Sequence, residues 1–238
     1  MRAGVSGGDV AANLAAVRRR VEKAARRAGR DPGEVGIVAV SKTVDLQRIR
    51  EAFQAGQRIF GENRVQEAEA KVRGWQSAWP HEKPSWHLVG HLQTNKVKAA
   101  IGLFDLIHSV DSVRLAEAID RHARHARRVV ACLLEVNVSG EPSKHGFAPD
   151  ALPDAVAQLL PLGAVKIEGL MTIAPLEAPG EAARPFFRRL RELRDELASG
   201  FPSVSWRHLS MGMTNDFEVA VEEGSTLVRV GRAIFGER

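Results

Sequence analysis

The chain has 238 residues, a formal net charge of +5 at pH 7, 44% hydrophobic residues and a single cysteine, Cys132. That composition supplies ample material for a core, and no apolar run approaches the roughly 18 residues of a membrane span. One cysteine excludes an internal disulfide, no Cys/His group has zinc-ligand spacing, and the N-terminal MRAGVSGGDV lacks the apolar stretch of a signal peptide, so a cytoplasmic protein without a metal centre is expected.

Leu14, Val17, Val21, Ala24 and Ala28 share one helical face and predict a helix over about residues 10–28. An alternation then begins. Apolar strands are expected near 35–41, 58–61, 86–89, 105–109, 129–138, 165–171, 205–209 and 226–230. Helical patterns fill the gaps near 45–55, 63–75, 94–101, 112–125, 150–160, 181–198 and 215–223. Strands separated by helices are parallel neighbours, because a parallel pair needs a crossover. Eight repeats over this length predict a single (β/α)8 TIM barrel with an extra N-terminal helix, one domain over residues 1–238. An open doubly wound sheet is the alternative, but no G-x-G-x-x-G follows a strand. The Pro/Gly-rich residues 174–180 read as one loop rather than a linker.

The pI of about 9.8 raises nucleic acid as a partner. However, arginines such as Arg18, Arg19, Arg20, Arg26, Arg27, Arg188 and Arg189 are spread along helices. Only Trp75, Trp79 and Trp86 cluster, and there is no tyrosine. A solvated basic surface, useful to a small phosphorylated ligand, is the reading; neither nucleic acid nor membrane is expected as a partner.

In such a barrel chemistry sits at the carboxyl ends of the strands. Only eight basic residues are lysines. Lys23, Lys71, Lys96 and Lys98 fall on helices, Lys83 and Lys144 in loops, and Lys166 at a strand start. Lys42 alone ends a strand, and its parity with Val38 and Val40 points it into the barrel. A lysine there is either a structural ion-pair partner or a nucleophile toward a carbonyl, once desolvation or nearby cations make its amine neutral. The second signal is the pair of loops after strands seven and eight, His208-Leu-Ser210-Met-Gly212-Met-Thr214 and Arg229-Val-Gly231-Arg232. Ser210 and Thr214 offer hydroxyls, and Gly212 and Gly231 allow a close backbone approach, as in a phosphate site; ordinary turn chemistry is the alternative. Arg229 shares parity with Gly231 and should also point inward. A Schiff-base lysine and a phosphate cradle together suggest pyridoxal 5′-phosphate. An arginine at the ring nitrogen would keep that nitrogen unprotonated and weaken the ring as an electron sink.

Several segments carry a family resemblance: Ala39-Val-Ser-Lys42-Thr43, Phe60-Gly-Glu-Asn63, Trp86-His-Leu-Val-Gly90-His-Leu-Gln-Thr-Asn-Lys96, Val136-Asn-Val-Ser-Gly-Glu-Pro-Ser-Lys144, Gly169-Leu-Met171-Thr, Leu209-Ser-Met-Gly-Met213 and Arg229-Val-Gly231-Arg-Ala-Ile-Phe-Gly236. In these the chain resembles the pyridoxal phosphate homeostasis protein family, single-domain relatives of the alanine racemase barrel. The resemblance implies that Lys42 carries the cofactor, that Ser210, Gly231 and residue 232 hold its phosphate, and that Arg229 approaches the pyridine nitrogen. Asn63, Met171, Met213 and Thr214 complete the expected cofactor-binding set. The chain departs from the family pattern at Arg232, where a small hydroxyl residue is common. It departs again at Arg64, where tyrosine is common and a surface change is expected. His87 is read as a polar residue at the barrel mouth and Cys132 as core; metal binding by His87 and His91 is not expected.

The function so implied is a binder of pyridoxal phosphate acting in vitamin B6 and amino-acid homeostasis without catalytic turnover. It would be a monomer or weak dimer, with pyridoxal-phosphate-dependent apo-enzymes as further partners and Lys144 as a candidate for handing the cofactor on. A racemase of the alanine racemase kind would need a tyrosine from a second domain, and this chain has none. A class I aldolase would need acid/base groups near Lys42, and none is evident.

Overall fold

The computed structural model of the chain describes residues 9–236; residues 1–8, on which the reading of the N-terminus as leaderless rests, lie outside that range. Helix α1 (Val10–Arg27) starts where the Asp9 carboxylate accepts from the N–H groups of Ala11 and Ala12, and its apolar stripe is buried. Eight strands follow: β1 (Gly36–Val40), β2 (Ile59–Glu62), β3 (Ser85–Leu88), β4 (Leu106–Val110), β5 (Val130–Glu135), β6 (Val165–Met171), β7 (His208–Ser210) and β8 (Leu227–Val230). Helices α2 (Leu46–Gln54), α3 (Val65–Ala78), α4 (Val97–Leu103), α5 (Val113–His125), α6 (Leu152–Leu159), α7 (Arg184–Gly200) and α8 (Phe217–Glu222) separate them, and a one-turn helix α9 (Arg232–Phe235) follows β8. All strand pairs are parallel, and the sheet closes in sequence order from β1 round to β8, the expected barrel.

Period-2 alternation along each strand divides the core in two. Val38, Val89, Leu106, Leu133, Met171 and Leu227 plug the barrel interior. The opposite faces, among them Ala39, Phe60, Trp86, Leu88, Ile107 and Cys132, pack against the helices. Trp75, Trp86 and Phe60 pack together with tilted or edge-to-face rings in that outer layer, with Trp75 buried and Trp79 against it. The tryptophan cluster is therefore core and presents no stacking platform.

The register of β1 against β8 pairs Val38 with Arg229 and Ala39 with Val230. The first and last strands thus deliver Lys42 and Gly231 to the same end of the barrel, though they lie at opposite ends of the sequence.

Candidate functional site

A cavity of about 480 Å³ opens at the carboxyl ends of the strands, within the roughly 300–1,000 Å³ usual for small-molecule sites. Lys42, Asn63, Met213, Thr214, Arg229, Gly231 and Arg232, of the residues expected at the site, line it together. Val40, Val89 and Ile173 supply apolar wall, and Asn215 and Asp216 add polar groups. Lys42 stands two residues beyond β1, half-buried, on the parity of the inward-facing Val38 and Val40.

Arg229 is buried, and three of its five donors are committed. Nη1 donates to the Ser210 carbonyl at 2.8 Å and to Ser210 Oγ at 2.6 Å, and Nη2 donates to the Thr172 carbonyl at 2.8 Å. Burial pulls its pKa down to about 10 against the opposing pull of Glu135 and Asp216. The guanidinium stays charged at neutral pH. Ser210 differs from its expected role. Its side chain is completely buried, is not among the lining residues, and turns inward to Arg229 and to His108 Nδ1 at 2.8 Å. It props the guanidinium from beneath rather than facing an anion. Met171 is likewise part of the apolar plug and does not line the cavity. Gly212 also serves packing. Its φ is +91°, and a Cβ there would stand 2.5 Å from the Ala220 Cβ of α8, so the glycine lets the loop close onto that helix.

Below the cavity the interior is polar. His108 Nε2 lies 2.9 Å from His87 Nδ1, so a chain runs from β8 through β7 and β4 to β3. Arginine can only donate, so Ser210 Oγ accepts from Arg229 and its own proton is available to His108 Nδ1; in that tautomer His108 Nε2–H donates to His87. Both imidazoles are neutral, with burial holding His87 at about 4 and His108 well below its usual value. His87 is therefore an interior residue, not one at the mouth, because its register opposite Leu106 turns it inward. Burial, and then the charge of Asp111, lifts Glu135 on β5 to about 7.

The turn that presents Lys42 is gripped from behind by groups that the sequence reading passed over. Lys71, read as an ordinary helix lysine, is 8% exposed. Its Nζ donates to the Ser41 carbonyl at 2.6 Å, to Glu62 Oε1 at 2.8 Å and to Glu67 Oε1 at 2.7 Å. Glu62 also accepts from Ser41 Oγ at 2.6 Å, and Glu67 accepts from the Thr43 N–H. Thr43 holds a φ of +61°, a left-handed conformation that costs a non-glycine residue energy unless its surroundings impose it. Both peptides flanking Lys42 are thus fixed by one buried cluster. Asn63 is set by close approach as well: a Cβ at Gly90 would stand 2.4 Å from the Asn63 carbonyl oxygen. Arg64 is exposed at the start of α3, as a surface residue would be.

Lys144, the candidate for handing on the cofactor, lines a separate cleft and pairs with Glu141 at 2.7 Å.

Fold and site together define an α/β barrel whose mouth holds an amine and a guanidinium in one partly apolar cavity. A family described as "Alanine racemase, N-terminal domain" matches residues 12–238. A pyridoxal phosphate homeostasis protein of Aquifex aeolicus is 46% identical over 225 residues, 94% of this chain and 96% of the relative. One from Escherichia coli strain K12 is 38% identical over 235 residues, 97% of each. The chain belongs to the pyridoxal phosphate homeostasis protein family, among the barrels typified by the alanine racemase N-terminal domain. The structure of PipY from Synechococcus elongatus with PLP bound superposes with a TM-score of 0.84 at 40% identity, covering 95% of this chain and all of that one. An alanine racemase of Clostridium difficile shares the fold, with a TM-score of 0.73 at 13% identity, over 97% of this chain and 56% of its own.

Proposed function

We propose that this protein binds pyridoxal 5′-phosphate through Lys42 and acts in vitamin B6 homeostasis, holding and releasing the cofactor rather than turning over a substrate. One observation carries the reading: Lys42, Arg229, Thr214 and Arg232 converge on a single cavity with apolar walls. That donor set fits a flat ring bearing an aldehyde and a phosphate. When bound, the cofactor supplies an electrophilic aldehyde and a conjugated ring that draws electron density. Lys42 would hold the aldehyde. The Thr214 hydroxyl, the backbone at Gly231 and Arg232 would hold the phosphate, with Arg232 replacing a hydroxyl bond by a charge-assisted one. Arg229, fixed by Ser210 and Thr172, would donate to the ring nitrogen and keep it unprotonated. Asn63 and Met213 would border the ring.

Absence of turnover is supported by what the cavity lacks. Racemisation removes a proton from one face of a substrate and returns it to the other, which takes a second base opposite the lysine. The chain has no tyrosine, and the one carboxylate in the lining, Asp216, accepts from the Met213 N–H through Oδ1 and so braces its own loop. Among the described residues no helix is long and apolar enough to cross a membrane; a cytoplasmic setting and apo-enzymes as recipients are part of the proposal and rest on the family.

The test is direct. Purified protein should absorb visible light, and borohydride should fix one cofactor on the Lys42 peptide by mass spectrometry. Lys42→Ala should lose both signals. A reduced adduct on any other lysine, or a folded chain that takes up no B6 vitamer, refutes the assignment.

A further inference from the structure

The barrel rim carries a second cluster of side chains able to bind metal, lining a cleft separate from the Lys42 cavity. His91 follows β3, Asp111 follows β4 and His145 lies in the loop after β5, so three successive crossovers bring them together. Asp111 Oδ2 lies 3.2 Å from His91 Nδ1 and 3.6 Å from His145 Nδ1, and one ligand atom from each of the three residues falls within 4.8 Å of the others. Both separations are longer than the about 2.7–2.9 Å of a charge-assisted hydrogen bond. They bracket the edge of about 3.3 Å of a tetrahedron whose metal–ligand bonds are about 2.0–2.1 Å, the lengths of zinc sites built from histidine and carboxylate.

The carboxylate is also oriented for this. Ser112 Oγ donates to Asp111 Oδ1 at 3.0 Å, while the same oxygen caps α5 by accepting from the Leu115 N–H at 3.3 Å. Asp111 is thereby held with Oδ2 toward the imidazoles, the kind of outer support that ligating carboxylates receive. The two rings stack with centroids 4.0 Å apart and planes 16° from parallel. Their lone pairs must open to meet on one ion, and the His145 side chain, 58% exposed in its loop, is free to turn.

We propose that His91, Asp111 and His145 form a site for a divalent transition-metal ion of the zinc class. Two imidazoles disfavour magnesium and calcium, which take oxygen ligands. Arg114 and Lys144 line the same cleft, of about 560 Å³. Lys144 is engaged by Glu141 at 2.7 Å, and the positions left open on the metal suit water or an anion. Residues 91, 111 and 145 have no motif spacing, so only the folded crossovers reveal the set.

The full chain should take up one equivalent of Zn²⁺ in calorimetric titration, and Co²⁺ in its place should show the visible bands of a low-symmetry nitrogen/oxygen site. His91→Ala and His145→Ala should each weaken binding at least about 100-fold and Ser112→Ala about 10-fold. For the two histidine variants urea midpoints without metal should match the parent, since both imidazoles are exposed; Ser112→Ala also removes the α5 cap and so should fall below the parent, and Asp111→Asn gives an independent ligand deletion. Stoichiometric binding unchanged in both histidine variants places the ion elsewhere and overturns the proposal. So does the absence of saturable uptake below millimolar Zn²⁺.

Discussion

Lys71 shows how much one side chain can set at a distance from the cavity. A buried ammonium needs partners, and this one has two carboxylates and the Ser41 carbonyl. Burial raises the Glu62 carboxyl against the lowering pull of Lys71 and Ser41, and Glu62 Oε2 has no partner of its own. Replacing Lys71 with methionine would leave the Glu62 charge buried and alone, so Lys71→Met should cost about 3–5 kcal/mol, read from the shift of the urea midpoint. Adding Glu62→Gln should recover part of that loss. If the single and double variants unfold together, the cluster does not behave as a charge pair. The signal for Lys71 was present in the sequence: it lies three residues after Ala68 and four before Trp75, both on the buried face of α3. A helical position alone does not separate it from a solvated lysine; its spacing from Ala68 and Trp75 does.

Arginines that look like a plain basic surface in the sequence join helices together in the fold. Glu223, just past α8 with a side chain 5% exposed, meets Arg184 at 3.1 Å, Arg188 at 3.2 Å and Arg191 at 3.0 Å, all from α7. Glu222 meets Arg184 at 2.7 Å and Arg27 of α1 at 2.8 Å. One acidic helix end thus ties α7 and α1 to the C-terminal end of α8, the helix that follows the loop carrying Thr214. Glu223→Gln should lower stability by about 1–3 kcal/mol. The difference should shrink in 1 M salt, where exposed parts of the network are screened within about 3 Å; an equal deficit at low and high salt would mean the loss is one of packing. At this scale the sequence was informative about elements and less so about partners. Strand and helix periods follow from the chain's own geometry, which is why the eight repeats could be read and the barrel expected. The apolar run expected at 205–209 became β7 at His208–Ser210 because Trp206 leaves the sheet to pack in the core and donates to the Phe201 carbonyl. Ion pairs between helices depend on how the barrel closes, and no local pattern encodes that.

Across the whole barrel, the site rests on a polar core that the sequence half disclosed. Inward parity of Lys42 and Arg229 was legible because alternation continues past strand ends. Ser210 beneath the guanidinium, and the two histidines beyond it, were not, since the bond that joins them, His108 to Ser210, crosses the lumen between β4 and β7, which are not neighbours. This chain of donors makes the molecule acid-sensitive in a defined window. His87 has a pKa of about 4 in the fold against 6.5 when exposed. The unfolded chain therefore takes up a proton as pH falls through 6.5, while the folded barrel resists until about 4. The His87 contribution to stability is complete above about pH 6.5 and declines on acidification by about 3 kcal/mol, with His108 adding in the same direction and Glu135, raised to about 7, opposing it between about pH 7 and 4.5. Glutamine at position 87 can still accept from His108 Nε2–H but has no proton to gain. His87→Gln should therefore unfold at a urea midpoint close to the parent's at pH 8 and lose about 3 kcal/mol less between pH 6.5 and 4. Parallel pH curves for the two proteins would show that His87 is charged inside the barrel. The His87–His108 bond would then run from His87 Nδ1–H to His108 Nε2, with Arg229 still donating to Ser210.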